Sequence, residues 1–482
     1  MMHKLAFFLL TFLSISAVYG QKGHNIRVKL DNYDQTELIL GFHYGEKQFV
    51  KDTVQRDEAG FFVFKADTLL PAGVYLLVLK PDNNFIQVLV DAKNQQFTMT
   101  TDAKDSVKKM KVKGSEDNAI FYDYLNVLGS KRPEADTIRA QMARLKGKNP
   151  ADSIKLATQL TDIDKQVKKL QSDIITKHSE MVCAKIIRSS QEPEPPEFKG
   201  ANEKEIQTKK YYWYRAHYFD FMDIADPIML RSPVIHSKIE TYVTKITPQH
   251  PDSVNIAMDV VLGKLKNTPE TYKYYLIHFL NFYAKSNLVG FDACYVHLAK
   301  KYYCNGLAPW TKKEDLEKIC DNAARLEPIL IGKIAPNIVV QDNMSQPLDL
   351  WKVDADYTVL FIWDPECGHC KKAAPFMVDF AKKFKDRGVK VFAICAATGD
   401  KAVGECLKSK EEKGFTDDLF INGSDPFLRS RFKQLYDIKT TPQIFILNRN
   451  HEILMKRISA EELGKVMEQV MQFQNEKKKT NK

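Results

Sequence analysis

Tyr357-Thr-Val-Leu-Phe-Ile-Trp363 runs directly into Asp364-Pro365-Glu366-Cys367-Gly368-His369-Cys370-Lys371-Lys372, and this junction sets the architecture of the C-terminal third of the chain. The first seven residues are strand formers. After the second cysteine, Phe376, Met377, Phe380 and Phe384 recur at helical spacing and mark one apolar face. Two thiols therefore sit where a strand hands over to a helix, with Cys367 at the helix's first turn. Free backbone N–H groups and the helix dipole favour negative charge at that point, so a thiol there ionises more readily. The thiolate attacks disulfides, and a thiol three residues further on can resolve the mixed disulfide. Such a pair needs no cofactor. A zinc site would need four ligands, and no second Cys-x-x-Cys or His pair stands at suitable spacing, so no metal is expected. A purely structural Cys367–Cys370 bond would close a very small loop and add little stability.

Working outward, a second strand is expected over 389–395, a helix over 401–413 and a short strand over 419–421. Ser424-Asp425-Pro426 combines a capping side chain with proline at a first turn, which predicts a helix to about Tyr436. Thr440-Thr441-Pro442 then leads into strands over 443–447 and 452–456 and a closing helix from Ala460. This order implies an α/β domain, a mixed sheet with helices on both faces.

Cys367-Gly368-His369-Cys370 at a strand-to-helix junction, with Thr441-Pro442 ahead of a closing hairpin, resembles the thioredoxin fold. The opening Gly332-Lys-Ile-Ala-Pro336 resembles the exported TlpA/ResA-like branch of thiol–disulfide oxidoreductases, a likeness spanning about residues 331–474. The upstream segments resemble, more loosely, the N-terminal extensions of such proteins in Bacteroidetes. The resemblance implies Cys367 as exposed nucleophile and Cys370 as buried resolving thiol. It implies a cis bond at Thr441–Pro442 presenting backbone to a substrate peptide, Trp363 packed under the motif, and Pro375 kinking the first helix. Protein thiols and disulfides would be the substrates, and a membrane-bound electron donor the source of reducing equivalents.

Within the motif, His369 can stabilise the Cys367 thiolate, and the Gly368-His369 dipeptide is similar to that of protein disulfide isomerases. Lys371 and Lys372 act in the same direction; Asp364 and Glu366 oppose it. Two family acids are replaced, by Phe361 on the strand and by Ala373 three residues after the second cysteine, and Glu366 stands where relatives commonly carry tryptophan. The function expected is an exported enzyme that reduces or exchanges disulfides in extracytoplasmic proteins. An isomerase or oxidase, or a docking module on a thioredoxin-like scaffold, are the alternatives.

At 482 residues the chain is too long for one ordinary domain, and two to four are expected. With 44% hydrophobic and 27% charged residues the chain can build real cores, and its net charge of +10 is scattered apart from Lys477-Lys478-Lys479. No basic recognition motif accompanies that charge, which speaks against nucleic acid as a partner. His3 and Lys4 precede the apolar run 5–13, and small residues end at Gly20. This pattern predicts a cleaved signal peptide over 1–20, with a retained anchor as the alternative, and a periplasmic location, free or associated with the cell envelope. All eight cysteines survive that cleavage, in a compartment where disulfides form. Cys304 could pair with Cys294 or with Cys320, or these could stay free and buried.

Residues 21–114 alternate in short runs (25–30, 37–42, 60–64, 73–79, 85–90) and predict an antiparallel β-sandwich of about seven strands. Residues 115–329 predict an all-α domain, and 330–482 the thioredoxin-like domain. Within the helical region, a pair of apolar stripes (Ile120, Tyr124, Leu128; Ile138, Met142, Leu145) is interrupted at Arg132-Pro133. These stripes fold as a hairpin onto a long helix carrying Leu156, Leu160, Ile163, Val167 and Leu170. The heptad-like rhythm of that helix also admits a coiled-coil homodimer. Glu192–Glu197 reads as a stiff linker. The aromatic run 211–221 reads as a helix buried in the helical core, and helices are further expected over 252–266, 269–285, 291–303 and 312–324.

Overall fold

The computed structural model describes residues 23–145 and 150–480; the expected signal segment lies outside them. Among the described residues no helix is long and apolar enough to cross a membrane. The chain forms two compact units, one running to Ile246 and including Lys264–Thr271, the other comprising Thr247–Gly263 and Tyr272–Lys482. The helical stretch 115–329 is thus shared between them.

The first unit opens with strands β1 (His24–Asp31), β2 (Glu37–Tyr44), β3 (Lys47–Gln55), β4 (Phe62–Ala66), β5 (Gly73–Leu79), β6 (Asn84–Val90), β7 (Gln96–Asp102) and β8 (Lys111–Lys113). They form two four-stranded sheets, ordered β4-β1-β7-β8 and β3-β2-β5-β6. Period-2 alternation turns Ile26, Val28, Phe62, Phe64, Phe97 and Met99 of one sheet and Leu38, Leu40, Leu77, Ile86 and Val88 of the other into one core. The sandwich is as expected. The purely antiparallel pairing needs one correction, because β1 and β7 run parallel. The intervening β2–β6 supply the long crossover that a parallel neighbour requires.

Helix α1 (Glu116–Arg144) docks on this sandwich through polar anchors as well as apolar ones. Ser115 caps it by accepting the Asn118 N–H. The buried Asn118 amide in turn bonds both backbone groups of Leu89, at 2.8 and 2.7 Å. Helix α1 continues through Pro133, where the sequence suggested an interruption. Proline deletes one backbone donor, and the neighbouring turn adds side-chain bonds, Thr137 Oγ1 to the Pro133 carbonyl and Ser130 Oγ to that of Val127. Helix α2 (Pro150–Lys177) returns along it, with Ala135, Ile138 and Ile163 buried between them, the expected hairpin. Helices α3 (Val182–Ser189), α4 (Glu203–His217), α5 (Pro227–Leu230) and α6 (Ile235–Thr241) complete the unit. The burial expected of the aromatic run holds only at its end. Tyr218 and Phe219 are buried, whereas no residue of α4 is, and Tyr212 is 62% exposed.

The second unit carries helices α7 (Pro251–Leu265), α8 (Pro269–Ala284), α9 (Asp292–Leu298) and α10 (Lys313–Leu326), close to the expected spans. α9 passes into a π-helical turn at Ala299–Tyr303, and Cys304, just beyond it, is disulfide-bonded to Cys320 of α10. There follow β9 (Val339–Gln341), β10 (Pro347–Asp349), β11 (Tyr357–Trp363), α11 (Gly368–Phe384), β12 (Val389–Cys395), α12 (Ala402–Lys413), β13 (Phe420–Ser424), α13 (Phe432–Leu435), β14 (Gln443–Asn448), β15 (Ile453–Lys456) and α14 (Ala460–Thr480). One seven-stranded mixed sheet results, in the order β10-β9-β13-β12-β11-β14-β15. α11 and α14 cover the face bearing Phe361, Trp363, Val391 and Ile446. Tyr436 covers the other, its ring 5.2 Å from Phe445.

The helix expected from Asp425 to about Tyr436 shrinks to α13. Asp425 does cap, but it caps a turn, accepting from the N–H groups of Arg429 and Ser430 at 3.0 and 2.7 Å. Leu428 and Arg431 then take positive φ, which ends any helix there.

Lys456, the last residue of β15, is buried with 1% exposure. It donates to the Asp292 carboxylate of α9 and, at 2.7 Å, to the Ile329 carbonyl. A buried charge is tolerated only when paired and hydrogen-bonded, so this contact fixes the preceding helices to the sheet.

Candidate functional site

The seven residues of β11 are central in the sheet, flanked by β12 and β14, and Val359, Phe361 and Trp363 point into the α11 core. The strand therefore delivers the motif at a fixed height above the sheet edge. Asp364 Oδ1 accepts the Glu366 N–H at 3.0 Å, and the Asp364 carbonyl accepts that of Cys367 at 3.3 Å, so the turn is closed by its own residues. Cys367 is the N-cap of α11, in extended conformation, and its sulfur accepts the Cys370 N–H at 3.4 Å. Pro375 lies inside the helix.

Thr441–Pro442 is a cis peptide, and the Thr441 carbonyl oxygen lies 3.1 Å from the Cys367 sulfur. Residues 74 apart in sequence thus meet at one point. Glu366, Gly368 and His369 are exposed, Thr441 is half-buried, and Trp363 is enclosed beneath the motif at 2% exposure. The Trp363 ring stands 5.2 Å from Phe415 and 5.4 Å from the Lys413 ammonium. Neither neighbour was evident from sequence, because both arrive with α12 and the loop after it.

Both thiols are free, and they differ sharply. Partial burial pushes the Cys367 thiol up, but hydrogen bonds from the Thr441 side chain and from the backbone N–H groups of Cys370 and His369 outweigh it, so its pKa falls below the ordinary value. His369 thus acts here through its backbone. Cys370, 1% exposed, is pushed up to about 12, first by burial and further by the neighbouring Cys367. Its one backbone donor is the Asp364 N–H, at 3.4 Å. As pH rises, the outer sulfur therefore ionises before the inner one. Phe361, fully buried against Phe415 at 5.8 Å, and Ala373, 4% exposed, put apolar surface at the two positions where the resemblance implies acids.

Residues 331–455 match the AhpC/TSA family. Over 87 residues the chain is 33% identical to the thiol-disulfide oxidoreductase ResA of Bacillus thuringiensis, which covers 18% of this chain and 50% of that protein. The C-terminal domain is a ResA-like thioredoxin domain. ResA of Bacillus subtilis is 28% identical to it over 122 residues, 25% of this chain and 64% of the relative. The chain thus spans about half to two thirds of the length of these curated relatives. A solved domain of a possible thiol-disulfide isomerase from Cytophaga hutchinsonii is 34% identical, covering 32% of this chain and 97% of that one, with a TM-score of 0.28. Outside the ResA-like domain, residues 24–121 match a domain of unknown function, DUF4369, which takes in the sandwich and the start of α1.

The ResA-like domain also contains a disulfide that sequence reasoning missed, Cys395–Cys406, joining β12 to α12. The signal for it was present. Cys395 ends a predicted strand, and Cys406 falls on the predicted helix that follows. Cys183 and Cys294 are free and buried.

Proposed function

We propose that this chain is an exported thiol–disulfide oxidoreductase that reduces or exchanges disulfides in extracytoplasmic proteins through Cys367 and Cys370. The observation that carries the reading is the placement of the two thiols: Cys367 is partly exposed at the N-cap of α11, 3.1 Å from the carbonyl of the cis Thr441–Pro442 peptide, and Cys370 is buried behind it. The Cys367 thiolate attacks one sulfur of a substrate disulfide and expels the other as a thiolate, forming a mixed disulfide. Cys370 then loses its proton and attacks Cys367, releasing the reduced substrate and leaving Cys367–Cys370 oxidised. Glu366, Gly368 and His369 frame the approach, Trp363 backs the pair, and the Thr441–Pro442 backbone offers a substrate peptide a partner beside the sulfur. A membrane-bound electron donor would return the pair to the dithiol, and export rests on the sequence pattern of residues 3–20.

The test is equilibration of the mature protein with glutathione buffers of graded potential, followed by acid quench, alkylation and mass analysis, with Cys367→Ser as control. A two-electron transition that peptide mapping places at Cys367 and Cys370, and that the variant loses, is expected; any transition at Cys304–Cys320 or Cys395–Cys406 is scored separately. A midpoint near about −270 mV supports a reductase, one near about −180 mV an isomerase or oxidase. A pair that never exchanges with glutathione would leave the domain as a docking module.

A further inference from the structure

Beside Trp363 the second unit holds a cavity of about 360 Å³. It lies at the carboxyl ends of the parallel strands β11, β12 and β13, marked by Trp363, Cys395 and Ser424, which is where open α/β sheets receive small ligands. Its volume suits a molecule of amino-acid to small-peptide size. Val403, Leu407 and Met344 contribute apolar wall, and the Lys410–Asp417 ion pair, 2.6 Å, contributes polar wall. The Cys395–Cys406 disulfide is itself part of the lining, although its cysteines are only 3% and 7% exposed.

Those two facts set a size limit on what can react there. A sulfur presented only through a cavity wall admits a thiol small enough to enter and excludes one carried on a folded protein surface. Cys304–Cys320 has the opposite character, since Cys304 is exposed and Cys320 half-exposed. Attack on a disulfide needs access for the thiolate as well as a favourable potential.

We propose that Cys395–Cys406 is a second thiol–disulfide exchange centre, reached through this cavity and serving low-molecular-weight monothiols. A thiolate RS⁻ attacks the Cys406 sulfur, forming a mixed disulfide and expelling the Cys395 thiolate. A second thiolate attacks the R-bound sulfur, releasing RSSR and the Cys406 thiolate. The protein disulfide gains two electrons, two small thiols are oxidised, and their two protons end on Cys395 and Cys406. Reduction removes the cross-link between β12 and α12, and α12 leads directly to Phe415 against Trp363.

The proposal does not depend on the Cys367/Cys370 reading, and the test removes that pair. In full-length protein carrying Cys367→Ser and Cys370→Ser, 2-mercaptoethanol or thioredoxin is added under native conditions, and newly freed thiols are alkylated and located by peptide mass analysis. With 2-mercaptoethanol, both Cys395–Cys406 and Cys304–Cys320 should open, at rates that rise linearly with thiol concentration and do not change in urea below the unfolding transition. With thioredoxin only Cys304–Cys320 should open. Val403→Trp, which fills the cavity mouth, should slow reduction of Cys395–Cys406 by at least about tenfold while leaving Cys304–Cys320 unchanged. The linear dependence on thiol is read on protein with Val403 intact, so a misfolded variant does not remove the test. A rate for Cys395–Cys406 that saturates with thiol at the rate of unfolding would show a sealed structural bond and overturn the proposal. Equal reduction by thioredoxin would overturn it as well.

Discussion

Replacing Lys456 by methionine should be among the most destabilising single changes in the second unit. The ammonium is buried at 1% exposure and serves two acceptors, the Asp292 carboxylate and the Ile329 carbonyl at 2.7 Å. Asp292 Oδ1 is buried without a hydrogen-bond partner among the described residues, so the lysine is that carboxylate's principal compensation. Methionine fills the space but leaves a buried, unpaired anion, a change that costs about 3–5 kcal/mol. Replacing both charges, in Lys456→Met/Asp292→Leu, removes the anion too and leaves only the Ile329 carbonyl unsatisfied, about 1–3 kcal/mol. Asp292→Leu alone should destabilise, because it strands the buried ammonium, so a double variant more stable than Lys456→Met is a departure from additivity. Urea unfolding followed by tryptophan fluorescence in a Trp213→Phe background reads this unit, since the other three tryptophans, Trp310, Trp351 and Trp363, lie within it. For a unit of this size the single variant should lose about 6–20 °C in Tm. A loss under about 1 kcal/mol, or a double variant less stable than the single, would show that the Asp292 charge does not depend on Lys456.

Three further outcomes follow from other sites. Because the Cys367 thiol is lowered and Cys370 is pushed up to about 12, iodoacetamide at neutral pH should label Cys367 alone, with a pH midpoint below the ordinary thiol value of 9.0; peptide mass mapping checks both. Burial opposes ionisation of Asp259, but bonds to His297 at 2.9 Å, Lys301 at 2.8 Å and Tyr302 at 2.6 Å hold its pKa at about 2. Its folded value lies below the ordinary 3.8, so its stabilisation is present above that pH and lost as pH falls toward about 2. Asp259→Asn should flatten that part of an acid-denaturation curve. In the first unit, Asp117→Ala should cost about 2–4 kcal/mol by urea unfolding, because it strands the buried N–H groups of Val182 and Cys183, now bonded at 2.9 and 2.8 Å.

What could be read in the sequence was what depends on near neighbours. The strand β11, the helix α11, the position of Cys367 at its cap and the sandwich strands with inward alternation all follow from local periodicity. β3 escaped because it is an exposed edge strand, almost every residue of it facing solvent, so no alternation marks it. β9 and β10 are three residues each, too short to carry a period. Pro133 reads as a break because local rules weigh the lost donor and not the packing of Ala135 and Ile138 against Ile163 of α2. Thr441 beside Cys367 came from family resemblance alone. The Lys456–Asp292 pair spans 164 residues, and no single-sequence signal announces a buried lysine as anything but a surface one.

The apolar floor beneath Cys370 bears on timing. With Phe361 and Ala373 in the core, the proton that Cys370 must shed before it attacks has no carboxylate waiting at either family position, and it must leave through the mouth of the site. In the proposed reaction the first attack is fast and the second slow. The covalent complex with a substrate protein then has a long dwell time, and this chain would hold a client before it releases it. Partners could accordingly be recovered from the wild-type protein by rapid acid trapping, still joined through Cys367, without first disabling the second cysteine.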